Sequence, residues 1–187
     1  MGKPLRVLIV EDSKADAELL LIELERGGYA PTSRRVDTAE AMSEALDHST
    51  WDIVLADYVM PSFSGLAALR LVQARGIDLP FIVVSGQIGE DVAVATMKAG
   101  ASDYILKGHY ARLAPAVERE LREVEVRRQR REAEEERDRL LEQLRAANEQ
   151  LVLNNIRIRE QAEEAQRRAA DLGAIVTAEP PETSPAD

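Results

Sequence analysis

Asp52-Ile53-Val54-Leu55-Ala56-Asp57 is the stretch on which the reading of this chain turns. Four apolar residues between two acids are too few for an ordinary helix. With β-branched Ile and Val among them, they read as a strand buried on both faces. Its last residue, Asp57, then stands as a carboxylate at the carboxyl end of that strand. Leu5-Arg6-Val7-Leu8-Ile9-Val10, Phe81-Ile82-Val83-Val84-Ser85 and Asp103-Tyr104-Ile105-Leu106 have the same make-up, and residues 32–36 form a weaker, more polar strand. Between the strands lie helical patterns over residues 13–26, 38–46, 64–74 and 90–99. Thr38 and Ser64 are suited to cap two of them, and Gly27-Gly28 stops the first. Strands alternating with helices of this length imply right-handed crossovers. The prediction is a five-stranded parallel sheet with helices on both faces, an α/β doubly wound domain over residues 1–110.

Composition narrows the rest. Of 187 residues, 45% are hydrophobic but only 4% aromatic, so the core must be built from Val, Ile, Leu and Ala. The absence of cysteine excludes disulfides and thiolate metal sites, and two histidines far apart disfavour zinc. No run approaches the roughly 18 apolar residues of a membrane span. Residues 1–4 lack the pattern of a signal peptide, and Arg6 stands where myristoylation needs Ser or Thr. A cytoplasmic protein is expected. The net charge of −10 divides into −6 over residues 1–110, −1 over 111–177 and −3 over 178–187. No segment has the basic excess that nucleic-acid binding requires.

After Tyr110 the character changes. From Leu113 to Leu172 there is no glycine, and the single proline, Pro115, falls in a first helical turn where it is tolerated. Residues 111–172 are therefore expected to form one helix, on the order of 90 Å long. Val117, Leu121 and Val124 make a stripe suited to packing on the sheet. A second register with spacings of four and three runs from Val126 through Leu140, Leu144, Ala147, Leu151, Asn154 and Ile158 to Leu172. That is a heptad seam, and it predicts a homodimeric coiled coil in which Asn154 sets register and strand number. Residues 173–187 are expected to be a disordered, proline-rich acidic tail, and their composition suggests a natural end.

Glu11 and Asp12 follow the first strand directly, and Asp57 closes the third. Ligands bind outside the carboxyl ends of such sheets, and a flavodoxin-like order of 2-1-3-4-5 would make strands 1 and 3 neighbours. Three carboxylates crowded together call for a cation. Oxygen donors without His or Cys suit Mg²⁺. Ser85 ends strand 4 with a hydroxyl, and Lys107 follows strand 5 with an ammonium. A carboxylate nucleophile, a divalent cation, a hydroxyl and a lysine are the groups needed to stabilise a transferring phosphoryl group.

Val10-Glu11-Asp12, the block Asp57-Tyr58-Val59-Met60-Pro61-Ser62-Phe63-Ser64-Gly65, Ser85-Gly86 and the block Gly100 to Lys107 occur in the order of a bacterial two-component receiver domain. Residues 5–125 resemble that family, of CheY-like fold. The resemblance implies Asp57 as phosphoacceptor, with Glu11, Asp12, Asp57 and the backbone carbonyl of Val59 holding Mg²⁺. It implies that Ser85 and Lys107 contact phosphoryl oxygens, and that Tyr104 turns inward as Ser85 is drawn to the phosphate. It also implies a cognate histidine kinase as phosphodonor. Two positions depart from the pattern. Gly108 stands where the family usually has proline after the lysine, so Lys107 is expected to be held less firmly. Ser85 replaces the more frequent threonine, keeping the hydroxyl.

Other motifs carry less. Gly86-Gln87-Ile88-Gly89 lacks the glycine-lysine pattern of a phosphate loop. His48 and His109 read as turn and cap residues, and the helix after Tyr110 has no histidine to serve as a kinase phosphoacceptor. The reading is a response regulator, not an effector enzyme, whose phosphorylation acts on the coiled coil and an unknown downstream protein. Two alternatives stand beside it: a constitutive coiled-coil scaffold that uses the receiver fold for docking, and the N-terminal piece of a larger sensor kinase.

Overall fold

The structure is a computed structural model and describes residues 2–86 and 90–176; for 90, 91 and 171–176 only the backbone course is described. The elements run β1 (Lys3–Val10), α1 (Lys14–Arg26), β2 (Tyr29–Val36), α2 (Ala39–His48), β3 (Ile53–Asp57), α3 (Gly65–Ala74), β4 (Phe81–Ser85), α4 (Glu90–Lys98), β5 (Asp103–Leu106), a 3₁₀ turn (Tyr110–Arg112) and α5 (Leu113–Val176). The five strands are parallel in the order β2-β1-β3-β4-β5, as expected from the sequence.

Alternation along each strand divides the core between two faces. Leu5, Val7, Ile9, Ile53, Leu55, Ile82 and Val84 point to the face covered by α1 and the start of α5, where they meet Leu20, Leu24, Leu113 and Val117. Leu8, Val10, Val54, Ala56, Phe81 and Val83 point to the other face, against Met42 and Ala45 of α2 and Leu69 and Val72 of α3. Fully burying one such Leu, Ile or Val stabilises by roughly 1.5–3 kcal/mol. Both faces are covered, which is why these strands are apolar throughout.

Local signals set the helix ends. The hydroxyls of Ser13, Thr38 and Ser64 accept hydrogen bonds from the amides of Asp16, Ala41 and Ala67. Gly28, at φ +89°, carries the chain out of α1 in the left-handed region that glycine adopts without a Cβ penalty.

Several boundaries differ from the sequence reading, β1 starting at Lys3 and α2 running to His48 among them. β2 begins at Tyr29, before residue 32, and takes Pro31 into the strand. It lies at the sheet edge, where a proline can face away from the ladder. The apolar stripe of α5 starts earlier, at Leu113 and Ala116, while Val124 is only half-buried. The helix also reaches Val176, through Gly173, so residues 173–176 are helical rather than part of a tail. One glycine costs a long helix only about 1 kcal/mol. Residues 177–187 lie outside the described residues.

The chain divides into two units, Met1–Arg130 and Arg131–Asp187. In the second, the described residues 131–170 are all exposed, including Leu140, Leu144, Ala147, Leu151, Asn154 and Ile158. The side-chain amide of Gln150 donates to Asn154 Oδ1 at 3.4 Å, one turn along. No helix among the described residues is long and apolar enough to cross a membrane.

Candidate functional site

Register brings the strand ends into one row. Val10 pairs with Ala56, Asp57 with Val84, and Ser85 with Leu106. Glu11, Asp57, Ser85 and Lys107, each at or one step past a strand end, therefore meet at the carboxyl edge of the sheet. Carboxylate oxygens of Glu11, Asp12 and Asp57 lie within 4.8 Å of one another. Glu11 is 1% exposed and Asp57 8%, while Asp12 faces solvent.

Lys107 reaches into this group. Its Nζ donates to Asp57 Oδ2 at 2.8 Å, Glu11 Oε2 at 3.0 Å and Asp16 Oδ2 at 2.5 Å. Burial alone would push the Lys107 ammonium toward its neutral form. The hydrogen bonds it donates to Asp16, Asp57 and Glu11 outweigh burial and raise its pKa. Burial raises the pKa of Glu11, against the pull of Lys107 and of the Ser13 amide, which donates to Glu11 Oε1 at 3.1 Å. The backbone on either side of Lys107 contains no cis peptide, and Gly108 takes φ +90°. The expected looseness of Lys107 is not what the contacts describe: three carboxylates hold the ammonium, and its own amide donates to the Ser85 carbonyl at 2.8 Å.

The loop after β3 is anchored from below. Met60 and Phe63 are buried, the Val59 amide donates to Asp57 Oδ1 at 3.2 Å, and the Gly65 amide donates to the Tyr58 carbonyl at 3.2 Å. A Cβ on Gly65 would stand 2.5 Å from the Asp57 carbonyl oxygen, so only glycine allows α3 to start this close to the site. Val59 itself is half exposed at the mouth. Ser85 is fully buried, and Tyr104 is half-buried against the core face shared by Val83 and Phe81.

Two residues escaped the sequence reading. Asp16 was legible only as a first-turn acid, four residues after Asp12. Arg35, at the end of β2, donates through Nη1 to the backbone carbonyls of Glu11 at 2.7 Å and Asp12 at 3.3 Å. Nothing in the sequence marks Arg35, because its partners are backbone atoms of the adjacent strand's loop. The oxygen-only trio fits a hard divalent cation such as Mg²⁺ by donor chemistry.

A family model described as the response regulator receiver domain matches residues 7–118. The chain belongs to that family. The response regulator MprA of Mycobacterium sp. (strain KMS) is 36% identical over 107 residues, 56% of this chain and 44% of that protein. The response regulator protein FleR of Pseudomonas aeruginosa is also 36% identical over 107 residues, 57% of this chain but 22% of its own length. The chain thus spans less than half the length of these curated relatives. Among solved structures, the receiver domain of a signal transduction histidine kinase from Syntrophus aciditrophicus is 30% identical with a TM-score of 0.55. That match covers 64% of this chain and 92% of the other. The receiver is thereby placed in two-component signalling, and its sheet order is that of the family.

Proposed function

We propose that Asp57 accepts a phosphoryl group from a histidine kinase and that the resulting change is passed to a dimer formed by α5. The single observation that carries the reading is the convergence of Glu11, Asp12 and Asp57 within 4.8 Å, with the Lys107 ammonium 2.8 Å from Asp57. Glu11, Asp12, Asp57 and the carbonyl of Val59 would hold Mg²⁺. When bound, that ion supplies positive charge opposite the transferring phosphoryl oxygens.

The nucleophile is a carboxylate oxygen of Asp57. Oδ1 is engaged by the Val59 amide and Oδ2 by Lys107, so attack follows release of Oδ2 from the ammonium. The new bond joins Asp57 to phosphorus. The bond between phosphorus and the donor's leaving atom breaks, and the leaving atom keeps the electron pair. Lys107 and the Ser85 hydroxyl then face the phosphoryl oxygens, and Tyr104, two residues before Leu106 on β5, is the switch side chain. Residues 1–110 act as the receiver core and 111–172 as its output helix, paired with a second copy along Leu140, Leu144, Ala147, Leu151, Asn154 and Ile158. A downstream protein would read that helix pair.

The test is phosphate uptake from a small phosphodonor with Mg²⁺, followed by intact mass. Wild type gains one phosphoryl group and Asp57→Asn none. Equal uptake by the variant would remove Asp57 from the role. The likeness to a histidine-kinase receiver favours a second reading, in which this chain is the receiver portion of a larger sensor protein. A native protein much heavier than 20.7 kDa in immunoblots of its own cells would support it.

A further inference from the structure

The Lys107 ammonium has three N–H donors and directs them to three carboxylates: Glu11, Asp57 and Asp16. Glu11 and Asp57 belong to the trio that could hold a cation, and Asp16 does not. Asp16 Oδ2 nevertheless accepts from the same Nζ as they do. We propose that Asp16 is a positioning residue that keeps the Lys107 ammonium on the α1 side of the pocket while Glu11 and Asp57 turn to a divalent cation. This rests on the cation reading given above.

The physical case is one of competition. An ammonium seated on Glu11 and Asp57 occupies the oxygens a cation needs, and two positive groups at that spacing repel. Lysine has a long, flexible stem, so its ammonium moves to whatever acceptor remains. Asp16 is that acceptor, and it stands on a stiff frame. Its amide donates to the Ser13 hydroxyl at 3.3 Å, and the Ser13 amide donates to Glu11 Oε1 at 3.1 Å. Arg35 holds the carbonyls of Glu11 and Asp12 in the same turn. Lys107, by contrast, is anchored by its backbone amide on the Ser85 carbonyl at 2.8 Å and carries its ammonium at the end of a four-carbon stem with several rotatable bonds. Of the pair, Asp16 is fixed by the cap of α1, and the ammonium is the group whose stem lets it exchange among its three acceptors.

The experiment is an NMR titration of the full chain with Mg²⁺, following the Val59 and Asp57 amides, in a double-mutant cycle. Asp16→Asn should weaken Mg²⁺ binding about fivefold when Lys107 is present and less than twofold in a Lys107→Met background, since residues that act through each other are not additive. Asp16→Glu should restore most of the affinity. Equal losses in both backgrounds would overturn the proposal, because Asp16 would then act on the cation directly. No loss in either background overturns it as well. If wild type and Lys107→Met both show no saturable Mg²⁺ response, it is the cation reading itself that fails.

Discussion

Leu55 and Leu144 are the same amino acid in two opposite situations. Leu55 is 0% exposed in β3, and Leu144 is 66% exposed in α5. The contrast extends to their units. Up to Arg130, the apolar side chains of the strands are covered on both faces of the sheet, and Glu11, Asp57 and Ser85 are buried at its carboxyl edge. Beyond it, Leu140, Leu144, Leu151 and Ile158 lie open along one helix. The first unit buries the apolar faces of its sheet within itself, whereas the second presents a surface of the kind that another helix covers. Amphipathic patterning is present in both, but only a closed set of strands and helices can bury it within one chain.

The strongest way to break that comparison is to charge the open helix. Leu144→Asp together with Leu151→Asp should convert a dimer to monomer in sedimentation equilibrium, and should leave the unfolding of residues 2–130 where it was. A dimer that persists would place the interface elsewhere and leave α5 as a solvated helix. Trp51 reports on the first unit separately, since it is half-buried with its Nε1 donating to the Ala45 carbonyl at 3.0 Å.

A smaller effect is expected inside the first unit. Gly65→Ala forces a Cβ against the Asp57 carbonyl, and should cost about 2 kcal/mol in urea unfolding followed by Trp51. Because the strain falls on Asp57 itself, phosphate uptake should fall with it. An unchanged urea midpoint would mean that α3 shifts freely, and that the edge is less rigid than its contacts describe.

The smallest effect concerns pH. Burial of Asp52 works to raise its pKa, but hydrogen bonds from the Arg6 side chain and amide outweigh it, so the net direction is down. A carboxyl group depressed on folding contributes stability above its unfolded value near 3.9, lost as pH falls through the lower folded value. Wild type should therefore lose more stability than Asp52→Asn when urea midpoints are compared from pH 5 down to pH 3. Identical pH profiles would show the Arg6–Asp52 pair to be inert.

Much of the site was legible because strand ends announce themselves. Asp57, Ser85 and Lys107 each follow a short apolar run, and the crossover order places those runs side by side. Asp16 and Arg35 were not legible for different reasons. Asp16 had an adequate local explanation as a first-turn acid, since helix N-termini favour carboxylates with or without a site. Arg35 sits in the polar edge strand and binds carbonyl groups, which every residue has. The start of β2 was misplaced for a related reason, because Pro31 argues against a strand everywhere except at an edge.

By itself, the sequence determined the element order, the parallel sheet, the strand-end groups and the long helix. Each follows from local periodicity, capping or residue type, which the chain carries wherever it goes. Only the tertiary structure decided that one ammonium is shared by Glu11, Asp16 and Asp57, and that Gly65 is required beside Asp57. The first depends on distances of 2.5 to 3.0 Å between residues up to 96 positions apart, which inter-strand register sets; the second depends on how closely the start of α3 folds back on the end of β3.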